Sequence, residues 1–425
     1  MLWSKSSNRF DRIRFLCLNT MLVIAICQTA VAATLCVNPR GKSGCFSKIQ
    51  DAVNAAAAYD TINVAQGKYK EDVVVGKPLS LVGHNSSNTV IDATGLLNGL
   101  YIDGLDNPGL ASVVVTGFTV KNANLEGIVI TNASNVTVSY NQVLNNNRSL
   151  DINDATCPGA PPWETLEGFD CGEGIHLSGV DHSVVANNTS QYNAGGILLS
   201  DDTGPTHDNL ISNNIVTDNP YDCGITLASH PSATMSGAPF GVFHNTISGN
   251  TSSGNGTQVP GAGAGVGIFD SIPGTMNYGN VIINNRLTNN GLPGVAMHSH
   301  APGQTITDNM IIGNYIAGNG ADTDDAFTPG PTGINVFGVS PASGTVITNN
   351  VIKDESVDIA VNSPAIVDAH LNNLLGKGMG VLNLGLGSAD ATENWWGCSG
   401  GPGANGCATA AGSGVTFSPW LTTPF

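Results

Sequence analysis

The sequence predicts an all-β, single-domain right-handed parallel β-helix that begins with a capping helix, because two short phrases recur along the chain. The strand phrase is Gly-Ile-x-Leu or a close variant, and it begins at Gly127, Gly174, Gly196, Gly224, Gly265, Gly294 and Gly333. The turn phrase places two Asn residues five positions apart: Asn141 with Asn146, Asn188 with Asn193, Asn214 with Asn219, Asn245 with Asn250, Asn285 with Asn290, Asn314 with Asn319, and then Asn350. Such a period is typical of stacked units that cannot bury their apolar face alone.

Each phrase has a physical role in that architecture. Side chains alternate along a strand, so the Ile and Leu residues point to one side and stack into a core along the axis. Neighbouring coils would then lie roughly 4.8 Å apart. Asn tolerates left-handed backbone, and its amide can bond the next coil, so we expect the Asn columns to be structural turn ladders.

The composition agrees with one folded unit. Charged residues make up 11% of the chain, aromatic residues 6% and hydrophobic residues 41%, which excludes a disordered protein. A solenoid grows lengthwise as a single domain. We predict a signal peptide over 1–33, an N-terminal cap and first coils over 34–92, repeats over 93–390, and a C-terminal cap over 391–425.

The two ends carry their own signals. Four basic residues precede an apolar run from Phe15 to Ile26, and the small residues Val31-Ala32-Ala33 follow as a cleavage site. The run is too short for an integral membrane span. From Phe46 to Ala58 the apolar residues recur at helical spacing, which predicts the capping helix.

Cysteine spacing also indicates export, to the periplasm or the exterior. Three pairs lie close in sequence and would each close a short loop: Cys36 with Cys45, Cys157 with Cys171, and Cys398 with Cys407. Cys223 remains, and we interpret it as a buried small hydrophobe.

Two segments resemble a known superfamily. The opening residues, with Gly67-Lys-Tyr-Lys-Glu-Asp-Val and Lys77-Pro-Leu-Ser-Leu-Val-Gly, are similar to the start of secreted right-handed parallel β-helix proteins such as pectate lyases, pectin methylesterases, polygalacturonases and NosD-like periplasmic proteins. Asn394-Trp-Trp-Gly and Pro419-Trp-Leu resemble their closing segment. The resemblance implies the fold; it does not imply one activity.

The catalytic signatures of those enzymes are mostly missing from the sequence. Asp201-Asp202 matches the Asp-Asp element of polygalacturonases, but their other elements are absent. Pectate lyases use an Arg base beside calcium-binding carboxylates, and beyond the signal peptide this chain has Arg only at Arg40, Arg148 and Arg286. A lyase-like site would combine Arg286 with the acidic residues Asp170, Glu173 and Asp222, our candidates for metal binding.

Aligning the strand phrases on their Gly places titratable residues in columns just after the core strands. The candidate catalytic residues are Asp201, Asp202, His230, Asp270, His298 and His300, and the candidate substrate-binding residues are His176, Phe269, Phe337 and Trp163. We expect them on an exposed outer groove beside the 148–170 insertion, with Asp202 and His230 in direct contact. Carboxylate beside imidazole suits general acid–base catalysis, and equally a metal site, so the cofactor could be calcium, a transition metal or none.

Charge narrows the choice of ligand. Without the signal peptide the chain has eleven basic and 31 acidic residues, a formal net charge of −20. That charge excludes a nucleic-acid partner, and it would repel a polyuronate unless calcium bridged the carboxylates. We therefore expect a secreted or periplasmic monomer that binds a polysaccharide or oligosaccharide and cleaves or modifies it as a lyase or hydrolase. The alternatives are a NosD-like periplasmic metal-handling accessory and a non-catalytic adhesive solenoid.

Overall fold

The structure is a computed structural model that describes residues 32–154, 156–165, 172–230, 239–259, 261–376 and 378–425. Residues Ala32–Phe425 form one compact unit. The predicted signal peptide falls almost wholly outside the described residues, and so do Asp170 and Cys171. No helix of the described residues has the length and apolar character needed to cross a membrane.

Within the described residues the strands form three long sheets of 14, 12 and 11 strands, all paired in parallel, and one small sheet of three strands. The 14-stranded sheet contains Thr34–Val37, Thr61–Val64, Ser80–Gly83, Val114–Thr116, Thr137–Ser139, Val184–Ala186, Leu210–Ser212, Thr246–Ser248, Val281–Ile283, Met310–Ile312, Val346–Thr348, Ile366–His370, Ser388–Asp390 and Val415–Thr416. The 12-stranded sheet contains Val73–Val75, Leu100–Asp103, Ile128–Thr131, Ile175–Ser178, Ile197–Ser200, Ile225–Ser229, Val266–Asp270, Val295–Ser299, Thr332–Gly338, Val357–Asn362, Met379–Asn383 and Thr409–Gly412. The 11-stranded sheet contains Gly67–Tyr69, Thr89–Asp92, Thr119–Lys121, Gln142–Leu144, Thr189–Gln191, Ile215–Thr217, Thr251–Ser253, Arg286–Thr288, Tyr315–Ala317, Val351–Lys353 and Asn373–Leu375.

The three-stranded sheet lies between the 12- and 14-stranded sheets along the chain and contains Thr206–His207, Val242–Phe243 and Asn277–Tyr278. Each coil therefore contributes one strand to each long sheet, and its neighbours in a sheet are the preceding and following coils. This is the right-handed parallel β-helix that the repeats predict.

The core follows from the register. Ile197 pairs with Ile225 and Leu199 with Leu227, so like side chains stack from coil to coil. All four are fully buried, and they belong to one continuous apolar cluster along the solenoid. Each strand phrase begins with glycine because a larger residue would not fit there. A Cβ at Gly196 would lie 2.2 Å from the carbonyl oxygen of Gly224, where no side chain fits.

The Asn columns are hydrogen-bonded ladders at the turns. In the first, the backbone N–H of Asn188 donates to Oδ1 of Asn214 (2.9 Å), and Nδ2 of Asn214 donates to the carbonyl of Val185 (2.9 Å). This ladder contains Asn141, Asn188, Asn214, Asn250, Asn285, Asn314, Asn350, Asn372 and Asn394. The second contains Asn146, Asn193, Asn219, Asn255, Asn290 and Asn319, and ends on Glu355.

The predicted pairing of Asn245 with Asn250 is wrong. Asn245 belongs to a third ladder, with Asn209, Asn280 and Asn309, and the turn partner of Asn250 is Asn255. The same five-residue spacing separates all three Asn residues of that coil, so spacing alone does not fix which ladder each one joins.

Both ends are covered. The helix Ile49–Ala55 buries Ile49, Ala52 and Val53 over the first coils, and Glu71 accepts its first two N–H groups at 2.9 Å. A 3₁₀ turn, Lys42–Gly44, lies inside the Cys36–Cys45 disulfide. At the other end Trp396 is fully buried beside the Cys398–Cys407 disulfide. Cys157 is also disulfide-bonded, and its predicted partner Cys171 lies outside the described residues.

Candidate functional site

The columns lie at the 12-stranded sheet. Phe269 pairs with His298, and His298 with Phe337, on three successive coils, and this column faces outwards. One position further along the strands, where side chains point to the opposite side, Ser229 pairs with Asp270. The residues of each column therefore stack in the order that the strand phrases give.

His298 is the centre of the first cluster, which also contains His300, Asp322 and Asp324. Its Nε2 lies 2.6 Å from Oδ2 of Asp322, and its Nδ1 lies 3.6 Å from Oδ2 of Asp324. His300 approaches the same Asp324 oxygen with Nε2 at 3.5 Å, while its Nδ1 lies 3.1 Å from the backbone carbonyl of Asp270. Each imidazole thus has one nitrogen at a fixed acceptor and the other turned towards Asp324.

The electrostatics of this cluster favour an ion pair. Burial alone would lower the pKa of His298, but hydrogen bonding to Asp322 and Asp324 outweighs it and raises the pKa to about 9. The His298 and His300 side chains hold the pKa of Asp324 well below its usual range. A protonated imidazole and an ionised carboxylate consequently face each other at neutral pH.

A pocket of about 470 Å³ opens beside this cluster. Its floor is made of small residues from three neighbouring strands, its wall contains Val259 and residues 261–264, and His298 and Asp324 line it together with Phe269. A Cβ at Gly267 would lie 3.0 Å from Sγ of Cys223, so glycine at this position leaves space in the pocket. Asp222 and Cys223 also line the pocket, and burial raises the pKa of the Cys223 thiol.

Aromatic rings surround the cluster. The ring centroids of Phe269 and His300 are 4.6 Å apart, and those of His298 and Phe337 are 5.6 Å apart in an edge-to-face arrangement. Phe269 and Phe337 are half-buried, whereas Phe327, on the 321–331 segment, is 76% exposed. The cluster therefore offers ring faces as well as charges to a ligand.

A second cluster surrounds Asp202. Oδ1 of Asp202 lies 3.0 Å from Nδ1 of His230 and accepts the N–H of Thr165 at 3.1 Å, and Oδ2 accepts the hydroxyl of Ser200 at 2.6 Å. Burial alone would raise the pKa of Asp202, but the charge of His230, its hydrogen bond and those of neighbouring groups bring it down to about 2. Asp202 and His230 are in contact, as expected.

The expected exposure of this groove was wrong. His176, Asp201, Asp202, His230 and Asp270 are all at most 1% exposed. Segment 156–165 contributes to this burial, since the backbone of Thr165 lies directly on Asp202. His300 and Asp324 are the partly open titratable groups, with side-chain exposures of 27% and 47%.

The two buried carboxyl groups next to this cluster, Asp201 and Asp270, have different roles. Asp201 accepts three hydrogen bonds, from the backbone of His230 and Gly241 and from the hydroxyl of Ser229, which makes it a structural group. Burial raises its pKa. Burial and then the charge of Asp201 raise the pKa of Asp270 to about 8, so Asp270 is a neutral acid at pH 7.

The remaining predicted residues lie at the upstream end of the groove. Trp163 is half-buried, with its ring 6.1 Å from that of His176. Glu173 and Asp222 flank Gly195, where a Cβ would lie 3.3 Å from Oε1 of Glu173 and 3.2 Å from Oδ2 of Asp222. Asp170, the third predicted metal ligand, is outside the described residues.

Arg286 does not join Glu173 and Asp222. It lies on the 11-stranded sheet, where its guanidinium covers the ring of Tyr315 at 4.5 Å. The described residues therefore do not form the lyase-like arrangement that the sequence left open.

Comparison with known proteins gives one family match. Residues 164–344, the segment that contains both clusters, match the model of the NosD family, described as a periplasmic copper-binding protein. No curated protein matches the chain. Over these residues the chain is similar to the NosD family, and its fold is that of a parallel β-helix repeat protein.

Solved structures share the β-helix at low sequence identity. A DFA-IIIase from Arthrobacter chlorophenolicus A6, without its lid and in complex with GF2, is 10% identical with a TM-score of 0.55, over 91% of this chain and 99% of that one. The catalytic domain of a GH87 α-1,3-glucanase in complex with nigerose is 14% identical with a TM-score of 0.52, over 87% of this chain and 66% of that one. At these identities the likeness shows the fold.

Sequence reasoning missed four acidic residues of these clusters: Glu126, Glu164, Asp322 and Asp324. Asp322 and Asp324 lie in the insertion between Gly294 and Gly333, whose 39-residue spacing is longer than that of most coils. Glu126 precedes its strand by two positions, as Glu173 precedes the next one. The shared position of Glu126 and Glu173 relative to their strands would have identified Glu126 from the sequence.

Proposed function

We propose that the protein is exported and hydrolyses a neutral glycan in the pocket beside His298 and Asp324. The observation that carries this proposal is the pocket itself. Its lining contains the protonated imidazole of His298, which faces the ionised carboxylate of Asp324, and the ring of Phe269. Aromatic faces bind the apolar face of a sugar ring, and paired acid and base groups are what glycoside hydrolysis needs.

The chemistry assigns one proton transfer to each group. His298 donates its Nδ1 proton to the glycosidic oxygen as the C–O bond breaks. Asp324 accepts a proton from the water that forms the new C–O bond once the bound sugar has separated the two side chains, whose nearest atoms lie 3.6 Å apart. Asp322 holds the His298 ring through Nε2, so the ring presents Nδ1 in one orientation.

The pocket lining favours a neutral sugar over a uronate. No Lys or Arg is among its described lining residues, and Asp222 and Asp324 are both acidic. A uronate carboxylate would be repelled there, and a lyase would lack a cation to stabilise the carbanion that proton abstraction forms. Hydrolysis of a neutral glycan needs no such cation.

The test is a screen of neutral and acidic polysaccharides for reducing-end release by the full-length chain. The wild type should release reducing ends from a neutral glycan, and Asp324→Asn should lose at least about 100-fold in rate. His370→Gln is the matched control. His370 belongs to another His–Asp group, with Asp368 and Asp390, away from the pocket, and its replacement should leave the rate unchanged. Equal activity of Asp324→Asn and wild type would remove this cluster from the mechanism.

A second candidate function, metal handling outside the cytoplasm, is favoured by the same cluster. His298, His300 and Asp324 can each offer one ligand atom, and the three atoms lie within 4.8 Å of one another. Each imidazole is held by an acceptor at its other nitrogen, which is the usual arrangement around a metal-binding histidine. Two imidazoles and a carboxylate fit copper(II) or zinc, and the matched family is described as copper-binding.

For this function the metal ion is the cargo, and the two candidates make different predictions. A metal-handling protein binds copper(II) through His298, His300 and Asp324, loses that binding in His300→Gln, and shows no glycan hydrolysis. A hydrolase turns over a glycan after EDTA treatment and dialysis. Measuring copper content and reducing-end release on the same samples separates them.

A further inference from the structure

A third cluster, separate from the pocket, lies where segment 156–165 meets the β-helix. It consists of Glu126, Glu164, Glu173 and His176, whose ligand atoms all lie within 4.8 Å of one another. Each residue is at most 3% exposed. Glu126, Glu173 and His176 belong to two consecutive coils of the 12-stranded sheet, whereas Glu164 belongs to the covering segment.

The hydrogen bonds of His176 fix its orientation. Ser200 donates its hydroxyl proton to Asp202 at 2.6 Å, so the Ser200 oxygen accepts from Nε2–H of His176 at 2.8 Å. Nδ1 of His176 consequently faces the two carboxylates, 3.6 Å from Oε1 of Glu126 and 3.8 Å from Oε1 of Glu164.

The distances from Nδ1 of His176 to the two glutamate oxygens are those expected between two ligands of one metal ion, and they are too long for a hydrogen bond. A hydrogen bond between imidazole and carboxylate is about 2.7–3.0 Å long. Two ligands of one ion, each about 2.1 Å from it, lie about 3.0–3.5 Å apart, close to the observed distances.

Charge gives an independent reason for a cation. Among the described residues, three buried carboxylates accompany one imidazole, and burying several groups that charge with the same sign is costly. Oε1 of Glu126 accepts the N–H of Gly172 at 3.2 Å, but its buried Oε2 has no hydrogen-bond partner among the described residues.

We propose that Glu126, Glu164, Glu173 and His176 bind one divalent transition-metal ion, of the Mn²⁺ or Zn²⁺ class, which fastens segment 156–165 to the β-helix. Carboxylates suit manganese and imidazole suits zinc, so a mixed donor set accepts either ion. The ion joins Glu164 on the segment to Glu126, Glu173 and His176 on the coils. Without it the carboxylates repel, and the segment keeps only its other attachments, which include the hydrogen bond from Thr165 to Asp202 and the disulfide of Cys157.

Metal content of the full-length chain tests the site. The protein is stripped with EDTA, equilibrated with MnCl₂ or ZnCl₂, passed over a desalting column and analysed for bound metal. Glu126→Gln should bind one ion fewer per chain than the wild type, and Asp324→Asn serves to count any ion held at the pocket cluster. The control is Glu355→Gln, because Glu355 is also a buried glutamate but bonds Asn319 at the end of a ladder.

Proteolysis of the wild type gives a second readout that needs no variant. Chymotrypsin should cut after Trp163 at least about tenfold faster in EDTA than with Mn²⁺ or Zn²⁺, since the freed segment samples open states. Two results would overturn the proposal. One is a wild type that retains no ion from either salt, which would mean that protons balance the carboxylates. The other is a Glu126→Gln variant with the wild-type metal content and the same response to EDTA.

Discussion

Nε2 of His298 lies 2.6 Å from Oδ2 of Asp322, and both side chains are buried. This contact joins the strand Val295–Ser299 to the 321–331 insertion and keeps His298 protonated, with its pKa raised to about 9. The first consequence is for stability. A histidine whose folded pKa exceeds the unfolded value of about 6.5 contributes stability that is complete below pH 6.5 and is lost as the pH rises through 9.

We therefore predict that His298→Gln changes how the free energy of unfolding depends on pH. Between pH 6 and pH 10 the wild type should lose on the order of 2 kcal/mol more than the variant, because the variant has no proton to release at this position. Urea unfolding at pH 6, 8 and 10 measures the difference. Parallel curves for the two proteins would show that His298 is not protonated in the folded state.

Asp270 gives the opposite kind of prediction, since its charged form is disfavoured. Burial and Asp201 raise its pKa to about 8, so the folded protein keeps it protonated at pH 7 while the unfolded chain ionises it. Its contribution opposes folding progressively as the pH rises from about 4 to 8. Asp270→Asn removes that ionisation and should raise the free energy of unfolding at pH 7 by about 1–2 kcal/mol.

The same comparison at pH 4 is the control for Asp270→Asn. At pH 4 the carboxyl is protonated in the folded state and still about half protonated in the unfolded chain, whose pKa is about 3.9, so the gain should shrink to about 0.5 kcal/mol. A variant that is equally destabilised at both pH values would indicate that the amide does not fit the site.

Replacing His230 tests whether its side chain is buried in the folded protein. An exposed His230 would have allowed replacement by Ala at a cost of within about 1 kcal/mol. Because the ring is buried and pairs with the buried carboxylate of Asp202, His230→Ala should instead cost about 3 kcal/mol. Thermal and urea unfolding measure it, and the double variant with Asp202→Asn should recover part of the loss, since no unpaired charge is then left inside.

The sequence predicts the columns but not the residues that surround them, and the reason is physical. Alternation along strands and a constant register place Phe269, His298 and Phe337 in one column, so local patterns are enough. Asp322 and Asp324 lie in an insertion without periodicity, where no pattern fixes their contacts. The burial of His176 depends on the segment that covers it, and a strand phrase contains no information about that segment.

The ladders carry a prediction about the fold itself. Asn214 is 1% exposed, and its side-chain amide accepts from Asn188 on the coil before it and donates to Asn250 on the coil after it. Asn214→Leu leaves buried backbone groups without partners and should lower the free energy of unfolding by about 1–3 kcal/mol. Asn213→Gly is the matched control, because Asn213 is exposed with a φ of 54° that glycine adopts freely. Equal effects of the two replacements would show that the ladder bonds contribute little.

The last prediction concerns the pocket. Ala296 is 4% exposed and forms part of its floor, so Ala296→Leu should fill space that the proposed sugar occupies without disturbing the core behind the sheet. We expect at least a tenfold loss of glycan binding or turnover, about 1.4 kcal/mol, with little change in Tm. The matched control is Ala317→Leu, a replacement of a 9% exposed alanine on the 11-stranded sheet, which should leave binding unchanged. Isothermal titration with the glycan found in the screen measures both variants. If Ala296→Leu binds as well as wild type, the ligand lies elsewhere on the solenoid, and the open ring faces around His300 become the next surface to test.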